Sequence, residues 1–173
     1  MTLGRLAAVT GLVLMTTACG DSGQGPEAVP SGEQPTMEEA RAEVLEQTPL
    51  LVDALKELGL TPAFARGRYG QCTDDAAGFA YDVSGRLDLP GEPGDPLAAS
   101  IAGALEASGW TVDGQADRGE RTIVNADQGH LRASVSEYSD QPFVLVEIAG
   151  PCLPVSEEEA ERYRATDNDD LEL

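Results

Sequence analysis

Few side chains in this chain are suited to chemistry, and they lie far apart. The chain has three cysteines, at positions 19, 72 and 152, and a single histidine, His130. Covalent or acid–base catalysis needs a nucleophile, a base beside it and a group that orients the base. No Gly-x-Ser-x-Gly, Ser-x-x-Lys or His-Glu-x-x-His run occurs, and no glycine-rich loop is built to cradle phosphate. A metal site would need more ligands than His130 and distant cysteines offer. Asp167, Asp169 and Asp170 faintly suggest a calcium loop, but the turn glycine and terminal glutamate of that motif are missing. The expectation is a noncatalytic protein with no cofactor and no bound metal.

The cysteines are read by position. Cys19 follows Met15-Thr16-Thr17-Ala18, which itself follows the mostly apolar stretch 6–14 with Arg5 ahead of it. A basic start, a short apolar run and small residues before a break form the layout of an export signal. The run is too short to cross a bilayer, which takes roughly 20 apolar residues. Residues 15–19 resemble the lipobox of bacterial lipoprotein signal peptides, with Thr16 where that family most often has leucine. The resemblance implies cleavage before Cys19, a diacylglyceryl group carrying acyl chains such as palmitate on its thiol, and a membrane-anchored protein on the outer face of the plasma membrane. Two acyl chains are enough for stable attachment. Lysine occurs only at Lys56 while Ala and Gly abound, a likeness to the small lipoproteins of actinobacteria.

Composition narrows the partners. The net charge is −20, which speaks against nucleic acid, because that binding rests on Lys and Arg at phosphates. Anionic head groups would repel the same surface, so the lipid must carry the attachment. Export also exposes Cys72 and Cys152 to an oxidising compartment, where two cysteines flanking one sheet are expected to form a disulfide.

The expected organisation is a signal peptide at 1–18, a Gly/Pro/Ser-rich tether at 19–35, a domain at 36–154 and an acidic tail at 155–173. Thr36 and Glu39 make a capping box, and Met37, Ala40, Val44, Leu51, Leu55 and Leu58 follow helical spacing up to Gly59. Pro49 behind Thr48 predicts two consecutive helices or a marked kink. A loop runs through Cys72, and alternation then predicts a strand at 79–89. Asp95-Pro96 opens a second helix, with Leu97, Ile101, Ala104 and Leu105 on one face and Gly109 ending it. Trp110 at the joint reads as core filler. Four short strands separated by turns follow, at 110–115, 121–126, 130–138 and 142–149. Ser156 and Glu159 cap a short helix before the tail frays.

If the first strand lies beside the last, Cys72 and Cys152 meet. The expected fold is therefore α+β, with a five-stranded antiparallel sheet in the order 2-3-4-5-1 and helices packed on one face. Alternation assigns Thr122, Val124, Arg132, Ser134, Ser136, Tyr138, Phe143 and Leu145 to the helix-free face. Of these, Arg132, Tyr138, Phe143 and Leu145 are the candidate face for an envelope protein partner, since aromatics and Arg are enriched at interfaces. A second reading is a carrier of an apolar or lipid ligand, which needs a cavity between helices and sheet.

Overall fold

The computed structural model describes residues 34–72, 78–89 and 96–173. Cys19, the signal peptide, all but the last residues of the tether, and Asp95 lie outside the described residues.

Helix α1 (Met37–Lys56) starts where the capping box requires. The Glu39 N–H donates to Thr36 Oγ1 at 3.2 Å, and the Thr36 N–H donates to the Glu39 carboxylate at 2.7 Å. The expected break at Pro49 does not occur; one helix runs through it. Pro49 is exposed, so the carbonyl that its missing N–H leaves behind can be hydrated, while Val44, Thr48, Leu51, Val52 and Leu55 are buried around it. The Thr48 hydroxyl donates to the Val44 carbonyl at 2.7 Å, which satisfies the one polar side chain on that buried stripe. Helix α2 (Ala98–Ala107) has as its N-cap residue Leu97, whose side chain cannot cap it. Its first N–H groups are taken by a carboxylate from the sheet, with the N–H of Leu97 and of Ala98 donating to Glu137 at 2.8 and 3.1 Å. A negative charge there also suits the positive end of the helix dipole. Gly109, at φ 92°, turns the chain out of the helix into Trp110, which is buried.

The strands are β1 (Thr61–Gln71), β2 (Gly78–Asp88), β3 (Thr111–Asp117), β4 (Arg121–Gln128), β5 (Leu131–Tyr138), β6 (Phe143–Ala149), β7 (Leu153–Pro154) and β8 (Asp169–Leu171), with helix α3 (Glu157–Ala165) before the last. All described pairings are antiparallel. The α+β class and antiparallel sheet are as expected, but the sheet has eight strands rather than five, and its order differs: β3-β4-β5-β6-β2-β1-β8, with β7 on the start of β2. The strand at 78–88 is thus interior instead of at an edge.

Two segments account for the difference. Residues 61–71 look like a loop because Pro62, Gly67 and Gly70 punctuate them, yet they form the full-length partner of β2. Gly67 is where it is because Tyr81 of β2 lies across it; a Cβ there would overlap the Tyr81 hydroxyl. The stretch 155–173, expected as an acidic tail, instead carries α3, capped by Ser156 and Glu159, and β8, which pairs with Ala65–Gly67 of β1. Leu171 and Leu173 pack against the core, so the compact unit extends from Gln34 to Leu173.

Helices cover one side of the sheet. Leu51 and Leu55 of α1, Ile101 and Leu105 of α2, and Phe79, Tyr81, Leu87, Val124, Val135 and Ile148 of the sheet are all under 2% exposed. Each such side chain contributes about 1.5–3 kcal/mol by leaving water. Tyr163 of α3 stacks on Tyr69 with ring centroids 4.5 Å apart, extending the same layer over β1. Cys72 and Cys152 form a disulfide, Cα–Cα 6.2 Å, that closes 80 residues of chain. It joins the end of β1 to the exit of β6, beside the short β7.

Candidate functional site

Pairing registers determine which side chains share the helix-free face. Phe64, Arg86, Leu145, Ser136 and Ile123 fall in one row across β1, β2, β6, β5 and β4. In the neighbouring row, Asp88 is opposite Phe143, and Tyr138 is opposite Arg121. The two rings meet at 5.8 Å between centroids. The Arg86 guanidinium lies 4.3 Å from the Phe143 centroid and that of Arg121 lies 5.7 Å from Tyr138, so two cations flank two aromatics. Phe64 and Leu145 are among the most exposed large apolar side chains, at 51% and 36%.

The four residues expected on this face are on it. Tyr138, Phe143 and Leu145 cluster together. Arg132 is not brought to them; it sits two rows away at 65% side-chain exposure, ion-paired to Asp127 at 3.2 Å and to Asp113 at 3.8 Å. Val124 and Thr122 were expected here and are not. Val124 is 1% exposed and pairs with the buried Val135, and Thr122 is opposite Glu137, the residue that caps α2. A one-residue error in phase exchanges the faces of a strand, and the adjacent Ile123 and Val124 make the phase of β4 ambiguous from sequence. The same correction brings Arg121 onto the open face. Arg121, Phe64 and Arg86 are the members that sequence reading missed.

Arginines are concentrated on this side. Arg66, Arg68, Arg86 and Arg132 are each ion-paired to a nearby aspartate, at 3.0, 3.0, 2.6 and 3.2 Å. Arg121 has no ion pair among the described residues; its Nη2 donates to Ser136 Oγ at 2.7 Å, and its Nε has no acceptor. A shallow groove of about 280 Å³ runs past it, lined by Arg121, Ser134, Ser136, Leu145, Glu147 and Phe64.

The remaining chemistry-bearing residues are placed elsewhere. His130 is an exposed turn residue between β4 and β5. Asp169 accepts hydrogen bonds from Arg41 Nη2 at 2.8 Å and from the Tyr81 hydroxyl at 2.7 Å. The Arg41 bond, followed by that of Tyr81, holds the Asp169 carboxyl below its ordinary range. Burial first, then the bond to Asp169, pushes the Tyr81 hydroxyl well up. Asp170 pairs with Arg66. These aspartates tie β8 to α1, β2 and β1; their ordering is structural.

No protein-family model, curated protein or solved structure matches this chain.

Proposed function

We propose that this protein is a lipid-anchored, noncatalytic lipoprotein of the cell envelope that presents the open face of its sheet to an envelope protein partner. The observation that carries the partner reading is the composition of that face. On a chain of net charge −20, it collects five arginines together with Phe64, Tyr138, Phe143 and Leu145. Arginine and aromatics in that combination are characteristic of interface centres. The disulfide supports an oxidising, extracytoplasmic compartment, and the resemblance of residues 15–19 to a lipobox supplies the anchor at Cys19. A carrier of a buried apolar ligand is the weaker reading. The void between α1 and the sheet, beside Thr48, Val52 and Leu173, is about 10 Å³, whereas ligand pockets run to several hundred.

The test is crosslinking in intact cells with the triple variant Arg132→Ala, Tyr138→Ala, Phe143→Ala. Secretion should persist while the crosslinked partner is lost. Retention of every partner by a folded triple variant would remove the basis for this reading.

A further inference from the structure

We infer that the groove beside Arg121 holds an extended peptide segment of the partner, about six residues long, with an acidic residue at one end, an apolar residue in the middle and a basic residue beyond it. This rests on the proposal that the open face is where the partner docks.

Among the described residues Arg121 is the one arginine of this face without an ion pair. The chain has 31 acidic residues against 11 basic ones, and the other four arginines of this face each have an aspartate. Arg121 is held ready instead. Its Nη2 is bound to the Ser136 hydroxyl at 2.7 Å and its guanidinium lies beside the Tyr138 ring, an arrangement that fixes the orientation of the planar fork with no carboxylate on it among the described residues. A carboxylate is the group that matches an arginine fork, with charge-assisted bonds. Further along the same groove Glu147 is exposed and has no ion-pair partner among the described residues, so it supplies the complementary charge for a cation. Between these two charges the wall is formed by Ser134, Ser136 and the exposed Leu145, with Phe64 at the far end of the groove.

Strand geometry sets the length of the occupant. From Arg121, opposite Tyr138, to Glu147, opposite Ser134, the path covers two strand spacings and four residues along the strand, roughly 17 Å. An extended chain advances about 3.3 Å per residue, which gives about six residues. A peptide fits this description better than a small ligand, because the groove is long and shallow and its charges lie at separated points.

The experiment uses the exported full chain and fluorescence polarisation with a fluorescein-labelled, C-terminally amidated hexapeptide, Glu-Ser-Leu-Val-Ser-Lys. The wild type should bind it at least tenfold more tightly than the same peptide with Gln in place of Glu. Arg121→Gln should lose that preference, Glu147→Gln should weaken binding through the lysine, and Arg121→Glu should come to prefer the peptide with Lys at the first position. Lys56→Ala, on α1 across the sheet from this face, should bind as wild type does. Because Ser136 is buried and the Arg121 variants lose its bond, the exposed Glu147→Gln change provides an arm that does not depend on their folding. Equal affinity for the Glu and Gln peptides in the wild type overturns the groove assignment. Crosslinking separates this from the parent reading. A partner lost by the triple variant but kept by Arg121→Gln leaves the face as the docking site and rejects the groove, whereas a partner kept by both rejects both.

Discussion

Asp169→Ala should destabilise the domain far more than the neighbouring Asp170→Ala. Asp169 carries two bonds of unequal worth. Its pair with Arg41 is a little over a third exposed on both sides, so solvent screening limits it to less than about 1 kcal/mol. Its bond with Tyr81 differs in kind, because Tyr81 is fully buried and its hydroxyl would lose its acceptor; an orphaned buried donor costs about 1–3 kcal/mol. The expected loss is about 2 kcal/mol, which for a domain of this size lowers Tm by about 5–10 °C in thermal unfolding followed by circular dichroism. Asp170 and Arg66 are 83% and 61% exposed, so Asp170→Ala should stay within about 0.5 kcal/mol. The double variant Tyr81→Phe, Asp169→Ala should recover part of the loss, because no hydroxyl is then left unpaired; a double-mutant cycle reads that coupling. The pH dependence follows from the sign of the shift. The folded Asp169 is held below its unfolded value, so its contribution is complete above about pH 4 and is lost as pH falls through the folded value. The gap between wild type and Asp169→Asn should be constant from pH 7 down to about pH 4 and narrow below it. Equal Tm losses for Asp169→Ala and Asp170→Ala, or zero coupling in the cycle, would refute the reasoning.

Fatty-acid labelling in the producing cell should mark the wild type and leave Cys19→Ser unlabelled; equal labelling would reject the anchor. Removing the disulfide with Cys72→Ser and Cys152→Ser frees a closed loop of 80 residues, worth roughly 4 kcal/mol on the chain-entropy model, and should bring a large fall in the denaturant midpoint. Glu137→Ala should cost about 1 kcal/mol, the usual worth of a helix cap, and hydrogen exchange should localise the loosening to the first turn of α2. If the exchange rates of Leu97 and Ala98 stay unchanged, the cap assignment fails.

The elements with clean periodicity were legible in the sequence, and those where two signals conflicted were not. Thr36 and Ser156 declare their helices because each stands three residues before a glutamate. The meander β3–β6 is legible from its turns. β1 was hidden because the glycine that makes room for Tyr81 reads locally as a breaker, and its reason lies on another strand. β8 was hidden because acidity suggests a solvated tail, while Asp169 and Asp170 are acidic in order to meet Arg41 and Arg66, 128 and 104 residues away. Glu137, 40 residues beyond Leu97, takes the first N–H groups of α2, a role that nothing in the local sequence announces. For the site, Arg132, Tyr138, Phe143 and Leu145 follow from strand alternation alone. Arg121 required the register of β4, which neither Ile123 nor Val124 could decide.

The seam between β2 and β6 divides the sheet into two parts with different histories. On one side β1 and β2 are a hairpin of near neighbours in sequence; on the other, β3 to β6 are a chain of hairpins. The β1–β2 hairpin and the β3–β6 meander are built from local contacts, which form fast, whereas joining them brings together residues about sixty positions apart, and β8 reaches β1 from further still, which is slow. The Cys72–Cys152 bridge sits at the end of that seam. Oxidation would therefore act as a clasp on the slowest step, holding two preformed halves in register once they have met. In a reducing environment the same halves would be free to open along the seam as separate exchange units before either one melts.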